Sequence, residues 1–294
     1  MQITISGCSY TFSSDVLSRQ DMRESYFNLA KTVFNLDFNK WYNSGFWDNN
    51  FIPYVLYDSN LAVSSVGVCI NDVERNGKIK RYVQISTVMT LPEYRAKGLN
   101  RRLMEYVPNE WKDKCDAVYL LANDSVVNFY PKFGFEEHTE YDFIIQAQKT
   151  KGEYIKLDLN KKDDLELLIK KYNASNPFAE LKVKNFSQFM FHCLYFLSDN
   201  IYYIEKYDAI VIIEQKEEKW ICYDILTDFD YRLSEILGII VNDSKPVYLG
   251  FTPKMLEDCH IQKSDENNNH LFVLKGKENV WENNKILLPL LSRA

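Results

Sequence analysis

The residues best suited to chemistry lie in two stretches, Leu91-Pro-Glu-Tyr-Arg-Ala-Lys-Gly-Leu-Asn100 and Asn123-Asp-Ser-Val-Val-Asn-Phe-Tyr-Pro-Lys-Phe-Gly-Phe135. In the first, the peptide N–H groups of Ala96, Lys97, Gly98, Leu99 and Asn100 would be the unpaired donors of a helix N-terminus, at the positive end of its dipole. Arg95, Lys97, Arg101 and Arg102 add charge complementary to a polyanion, and a glycine at position 98 keeps a side chain from holding a phosphate off the backbone. This is chemistry for a pyrophosphate. Taken alone, R-x-x-G describes a surface turn before an amphipathic helix equally well.

The loop needs a strand before it and a helix after it. Val83, Ile85 and Thr87 alternate with Tyr82, Gln84 and Ser86, which predicts a strand over 81–90 that stops at Pro92. After Gly98 the period changes from two to 3.6, with Leu99 and Leu103 one turn apart, and Pro108 closing the helix. A further strand is expected over 117–122.

The order N-x-x-V-x-x-x-Y-x-x-x-G-F from Asn123, following R-x-x-G at Arg95 and Gly98, resembles the paired signatures of the GCN5-related N-acetyltransferases, the GNAT superfamily. The resemblance covers most of residues 1–147. It implies an α/β (α+β) fold, a mixed twisted sheet with helices on both faces, and acetyl-CoA as acyl donor. By the same resemblance the pantetheine arm hydrogen-bonds the backbone of Val88, Met89 and Thr90, as an added strand would. The pyrophosphate lies on Arg95 to Asn100, and the Asn123 amide binds the pantetheine or its neighbours. Tyr130, implied to sit near the sulfur, has the proton a departing thiolate needs: a phenol titrates near pH 10 and a thiol near 8.5. A backbone N–H near Val88 or Met89 would polarise the thioester carbonyl. Two positions depart from the family pattern, Asn100 and Val126, where small residues are usual.

The implied reaction moves an acetyl group to a primary amine, on a small molecule or on a lysine or N-terminus, by direct attack in a ternary complex. A non-catalytic acyl-CoA-binding module is the alternative. For the general base, Asp48, Asp58, Asp72 and Glu74, with Tyr82 ordering water, are open by position, as is a water chain with no single base. Trp41, Tyr42, Phe46 and Trp47 either cage a cationic amine or anchor a long loop on the core.

A length of 294 residues suggests two domains, here 1–147 and 148–294 with a polar linker at 146–152. After that linker the pattern reads as a strand over 154–159, helices over 162–172 and 186–197, and apolar runs at 201–205, 209–214 and 220–226. A helix over 231–241 and strands over 246–251 and 271–275 follow, repeating the order of the first half. We expect a degenerate, smaller GNAT-like second unit. Its loop Thr227-Asp-Phe-Asp-Tyr-Arg232 lacks R-x-x-G and carries two acidic residues, so it should not bind CoA, and the unit would wall the acceptor site or support a homodimer. The layout resembles tandem acetyltransferases of the enhanced-intracellular-survival type. The chain stops too early for that type's further sterol-carrier-like domain, and no role is carried over to Ala294.

A net charge of −6 and a pI near 5.4 argue against a general nucleic-acid or anionic-membrane binder. Six scattered cysteines without C-x-x-C suggest neither a zinc site nor a disulfide framework, and the histidines lack metal-ligand spacing. Cys259 and His260 are chain neighbours facing different ways, so they read as structural. With no signal peptide and no run of about 18 apolar residues, the expected location is the cytoplasm.

Overall fold

The computed structural model describes residues 1–229, 231–265 and 269–294. Its strands and helices run β1 (Gln2–Ile5), β2 (Cys8–Ser13), α1 (Gln20–Phe34), α2 (Asn39–Asn43), β3 (Phe51–Asp58), β4 (Leu61–Arg75), β5 (Lys78–Thr90), α3 (Leu99–Trp111), β6 (Ala117–Ala122), β7 (Phe135–His138) and β8 (Tyr141–Ile145). The second half follows with β9 (Ile155–Lys156), α4 (Lys162–Ala174), β10 (Lys182–Lys184), α5 (Phe186–Tyr195), β11 (Ile201–Ile204), β12 (Ala209–Lys216), β13 (Lys219–Leu226), α6 (Leu233–Ile240), β14 (Val247–Leu249), β15 (His260–Lys263) and β16 (His270–Leu274).

Two mixed sheets result. The first has the order β1-β2-β3-β4-β5-β6-β16-β7, with β10 also paired to β4; the second has the order β15-β8-β14-β13-β12-β11-β9. Each sheet therefore holds a strand that is remote in sequence from its neighbours. β16, near the C-terminal end, lies between β6 and β7, while β8 leaves the first sheet and pairs β14 and β15 in the second. The divided reading 1–147 and 148–294 thus meets two sheets that trade strands across it.

A pattern repeats in both sheets. β4 and β5 are antiparallel, β5 and β6 parallel around α3, and β6 and β16 antiparallel. In the second sheet β12 and β13 are antiparallel, β13 and β14 parallel around α6, and β14 and β8 antiparallel.

Side-chain alternation builds a core on each face of the first sheet. Val83 and Ile85 of β5, Val118 and Leu120 of β6 and Phe272 of β16 share one core with Tyr26 and Leu29 of α1 and with Leu99, Leu103 and Val107 of α3. On the other face Tyr82, Tyr119, Leu271 and Val273 pack against Val280, Trp281, Ile286 and Leu288, an irregular segment. Pro108 does not end α3. It sits inside the helix, which runs on to Trp111, and all but Pro108's missing donor is kept because Val107, Pro108 and Trp111 bury one face. The linker has no regular structure but is fastened, with Gln148 N–H donating to Ser234 O and Thr150 N–H to Gly238 O. A side chain at position 238 would collide with the Gln148 carbonyl, which explains that glycine.

Candidate active site

The parallel pairing of β5 and β6 ends at Ile85 and Leu120. Beyond that point the strands part, and a cavity of about 760 Å3 opens between Ser86, Thr87, Val88 and Thr90 on one side and Leu121, Ala122 and Asn123 on the other. The backbone edge of β5 is left unpaired there, an extended template for a ligand with amide groups.

A bulge shapes this edge. Ser65 faces Met89 and Gly67 faces Ser86, so the register with β4 slips between them, and Thr87 takes a φ of 42°. Gly67 is what admits the bulge: a Cβ there would lie 2.3 Å from Thr87 Oγ1. Among the described residues the buried hydroxyls of Ser86 and Thr87 make no hydrogen bond of ordinary geometry, the Thr87 hydroxyl having only the Tyr26 phenol near it. Both residues line the cavity, so a bound polar group would offset the cost of leaving them unpaired.

One end of the cavity is the start of α3. A short 3-10 turn at Pro92–Tyr94 leads into Ala96 at φ 61° and Gly98 at φ 81°, and Gly98 caps α3 with no side-chain bond. Arg102 N–H donates to Gly98 O, which leaves the earlier N–H groups of the first turn open. A Cβ at Gly98 would meet no protein atom within 4 Å, so the backbone there is bare on the cavity side. Arg95 lies along the wall with Nε 3.4 Å from Thr90 O. Asn100 joins the first turn to β4, its Oδ1 accepting from Ser64 Oγ at 2.7 Å, and the same hydroxyl lies 3.0 Å from Met89 O.

At the far side stands Tyr130, 6% exposed, in a single 3-10 turn at Tyr130–Phe133 in place of an α-helix. Pro131 accounts for the difference, because it disfavours α geometry in the residue before it and removes a donor. Rings of Phe129, Phe135 and Phe272 surround Tyr130 at 5.3, 6.4 and 5.9 Å between centroids. Burial pushes its phenol up to about 12, so it stays protonated through the neutral range.

Residues 17–138 match the family model described as Acetyltransferase (GNAT) domain. This match identifies a GNAT domain over those residues. N-alpha-acetyltransferase 50 of Danio rerio is 28% identical over 113 residues, covering 37% of this chain and 65% of the zebrafish protein. A solved structure from Enterococcus faecalis V583, described as a probable N-acyltransferase, superposes with a TM-score of 0.58 at 14% identity, over 90% of this chain and 72% of that one. Eis1 from Mycobacterium abscessus gives 0.55 at 12% identity, over 89% and 73%. At such identities these two likenesses speak for the fold, and they extend well beyond the matched GNAT domain.

Within the GNAT domain the cavity wall gathers Val88, Thr90, Arg95, Ala96, Gly98, Leu99, Asn100, Asn123 and Tyr130. Met89 turns its side chain into the core, and Lys97, not itself a lining residue, lays its ammonium over the ring of Tyr94, which is one, at 4.3 Å. The base candidates lie elsewhere: Asp48 caps Asn50, Asp58 accepts from Tyr94, Asp72 pairs with Arg81, Glu74 with Lys184, and Tyr82 donates to Glu278. Among the described residues no Asp, Glu or His side chain lines the cavity.

The aromatic stretch is not a cage. Trp41 and Trp47 are 1% and 8% exposed, 4.4 Å apart, and packed with Phe38, Phe51 and Phe191 of α5, so they anchor the loop to the core. Sequence reasoning missed Ser86 and Thr87 as wall residues, and it left Ala294 aside. Ala294 lines the cavity and is clamped by Gln84, which accepts from its N–H and donates to its carbonyl, each at 2.9 Å. Ser86 and Thr87 carried a signal in the strand pattern, whereas nothing in the sequence joins positions 84 and 294.

Proposed function

We propose that this chain is an N-acetyltransferase that moves an acetyl group from acetyl-CoA to a primary amine by direct attack in a ternary complex. The observation that carries the reading is the parting of β5 and β6 after Ile85 and Leu120, with the open start of α3 at one end and Tyr130 at the other. The bare backbone at Gly98 and the unpaired hydroxyls of Ser86 and Thr87 fit an elongated polar ligand.

Leu99, Asn100 and Arg101 would offer backbone N–H groups to the pyrophosphate, with Arg95 beside them. Val88, Met89 and Thr90 would pair their free backbone edge with the pantetheine amides, and the Asn123 amide would bind close by. Bound acetyl-CoA supplies an activated acyl group as a thioester. A backbone N–H at Val88 or Met89 polarises its carbonyl oxygen, and Tyr130 gives its proton to the departing sulfur, to be reprotonated from solvent. With no Asp, Glu or His side chain among the described residues of the wall, the amine proton leaves through water held by the Ser86 and Thr87 hydroxyls.

The acceptor is a small amine or an exposed lysine or N-terminal amine, and the name of the zebrafish relative puts a protein N-terminus among those to try first. Residues 148–294 act as a degenerate GNAT-like unit, supported by the repeated antiparallel–parallel–antiparallel order. Its parallel strands stay closed where β5 and β6 part, because Gly250 packs on the Tyr223 backbone and donates to Cys222 O. Asp228 of the acidic loop pairs with buried Lys171, and Asp230 lies outside the described residues.

The wall without a base favours one other reading, an acyl-CoA-binding module that does not turn over. Release of free CoA thiol from acetyl-CoA across polyamines, aminoglycosides, lysine peptides and peptide N-termini, beside a thermal shift with CoA, tests both. Amine-dependent release is expected. A thermal shift without release across that panel would favour the binding module, and neither signal would sink both readings.

A further inference from the structure

A second cavity, of about 350 Å3, lies in the other half of the molecule and shares no lining residue with the first. It occupies the matching place in the repeated pattern. The first cavity reaches from the end of α1 to the strand before α3; the second reaches from Tyr172 and Asn173 at the end of α4 to Asp224 and Leu226 on β13, the strand before α6. Where the first has hydroxyls, the second has a carboxylate.

Asp224 Oδ1 accepts from Asn176 Nδ2 at 2.7 Å and from the Ile225 N–H at 2.9 Å. Among the described residues no donor reaches Oδ2, and no lysine or arginine pairs with this carboxyl. Of the titratable groups around it, Tyr172 on α4, Cys193 on α5 and Cys222 on β13 are acids, each with its ionisation opposed by burial and by the Asp224 charge. On β10, Lys184 is taken by Glu74, and Lys182 lies on the cavity wall without an ion pair to Asp224. Burial pushes the Asp224 carboxyl up to about 6, partly offset by Asn176 and the Ile225 N–H. It is therefore mostly ionised at neutral pH, a half-buried anion without a counter-ion, which is costly to keep.

Aromatic faces border the same space. The rings of Tyr172, Phe186 and Phe189 pack together, with Tyr172 5.0 Å from Phe186 and 4.7 Å from Phe189, and Phe251 also lines the cavity. A carboxylate among aromatic rings in a small concave pocket is complementary to an organic cation. We infer that this cavity is a binding site for a small organic ammonium ion, with Asp224 Oδ2 as its counter-charge. The site stands independently of acetyl transfer, so a failed turnover assay leaves it untouched.

Titration calorimetry of the full chain with n-butylammonium chloride tests it, with n-butanol as the uncharged control. Saturable binding of the ammonium and not of butanol is expected at pH 8. One pH unit below the carboxyl's value, at pH 5, affinity should fall about tenfold, with net proton release on binding measured in buffers of different ionisation enthalpy. Asp224→Asn, which keeps the side-chain shape and the oxygen facing Asn176, should weaken binding about tenfold or more at pH 8. The wild-type proton release needs no variant and stands if Asp224→Asn fails to fold. Absence of saturable binding, binding equal at the two pH values, or equal affinity in a folded Asp224→Asn protein would overturn the site.

Discussion

Tyr130 is the residue on which the proposed chemistry turns. It is held by Phe129, Phe135 and Phe272 and kept protonated by burial. Tyr130→Phe should lower kcat about 10²-fold while the CoA dissociation constant stays nearly the same. Equal turnover in the two proteins would remove the proton-donor role. Since burial pushes this phenol up to about 12, the pH–rate profile should show no loss from Tyr130 between pH 7 and 10. Asn100 teaches a different lesson at this scale. Its departure from the small residue usual in the family is explained by the 2.7 Å bond from Ser64, which ties α3 to β4. Asn100→Ala should then cost about 1 kcal/mol in urea unfolding, the usual worth of such a bond, with CoA still bound.

At the scale of elements, the bulge in β5 and the tie between β16 and the Asn123 turn place the two walls of the cavity. Gly67→Ala would put a methyl 2.3 Å from Thr87 Oγ1, so the bulge must move. We expect a stability loss of about 1–3 kcal/mol, as for other overpacked sites, and a larger loss of kcat than of CoA affinity. Unchanged kcat in a folded G67A protein would show that the bulge does not set the reaction geometry. Outside the cavity, beside the Asn123 turn, His270 of β16 bridges Glu137 at 2.7 Å and Asp124 at 2.8 Å. These hydrogen bonds hold its imidazole above the usual value, Glu137 first and Asp124 second. A raised folded value means the contribution is fully present below about pH 6.5 and is lost as pH rises through the folded value. The Tm gap between the native protein and His270→Ala should therefore be wider at pH 6 than at pH 9. The histidine is partly exposed, so the gap should be small.

The whole molecule is held together by the exchange of β8 and β16. Residues 1–147 alone would lack β16, leaving β6 and β7 without their shared neighbour and Tyr130 without Phe272. That fragment should show no single cooperative urea transition and should aggregate, because an unpaired apolar strand edge invites association. Adding residues 148–294 in trans should restore a folded complex by gel filtration. A sharp transition in the isolated fragment would show that the halves fold independently. Among the described residues no helix is long and apolar enough to cross a membrane.

Much of the site was legible in the chain because it rests on local rules. The period change at Gly98, the donors of a helix start and the spacing from Asn123 to Gly134 are set by neighbours within a few residues. The strand over 81–90 and the helices over 162–172 and 186–197 were readable for the same reason, and they lie within a few residues of β5, α4 and α5. The length of α3 past Pro108 was decided by burial of Trp111, and the turn at Tyr130 by its proline neighbour acting within a packed corner. Beyond local reach the sequence was silent. That 270–273 would pair with 119–122, that Ala294 would meet Gln84, and that Asp224 would share a cavity with aromatic side chains follow from strand exchange and sheet packing. Such pairings are selected by the apolar area the whole chain can bury at once, a quantity that no short window of residues contains.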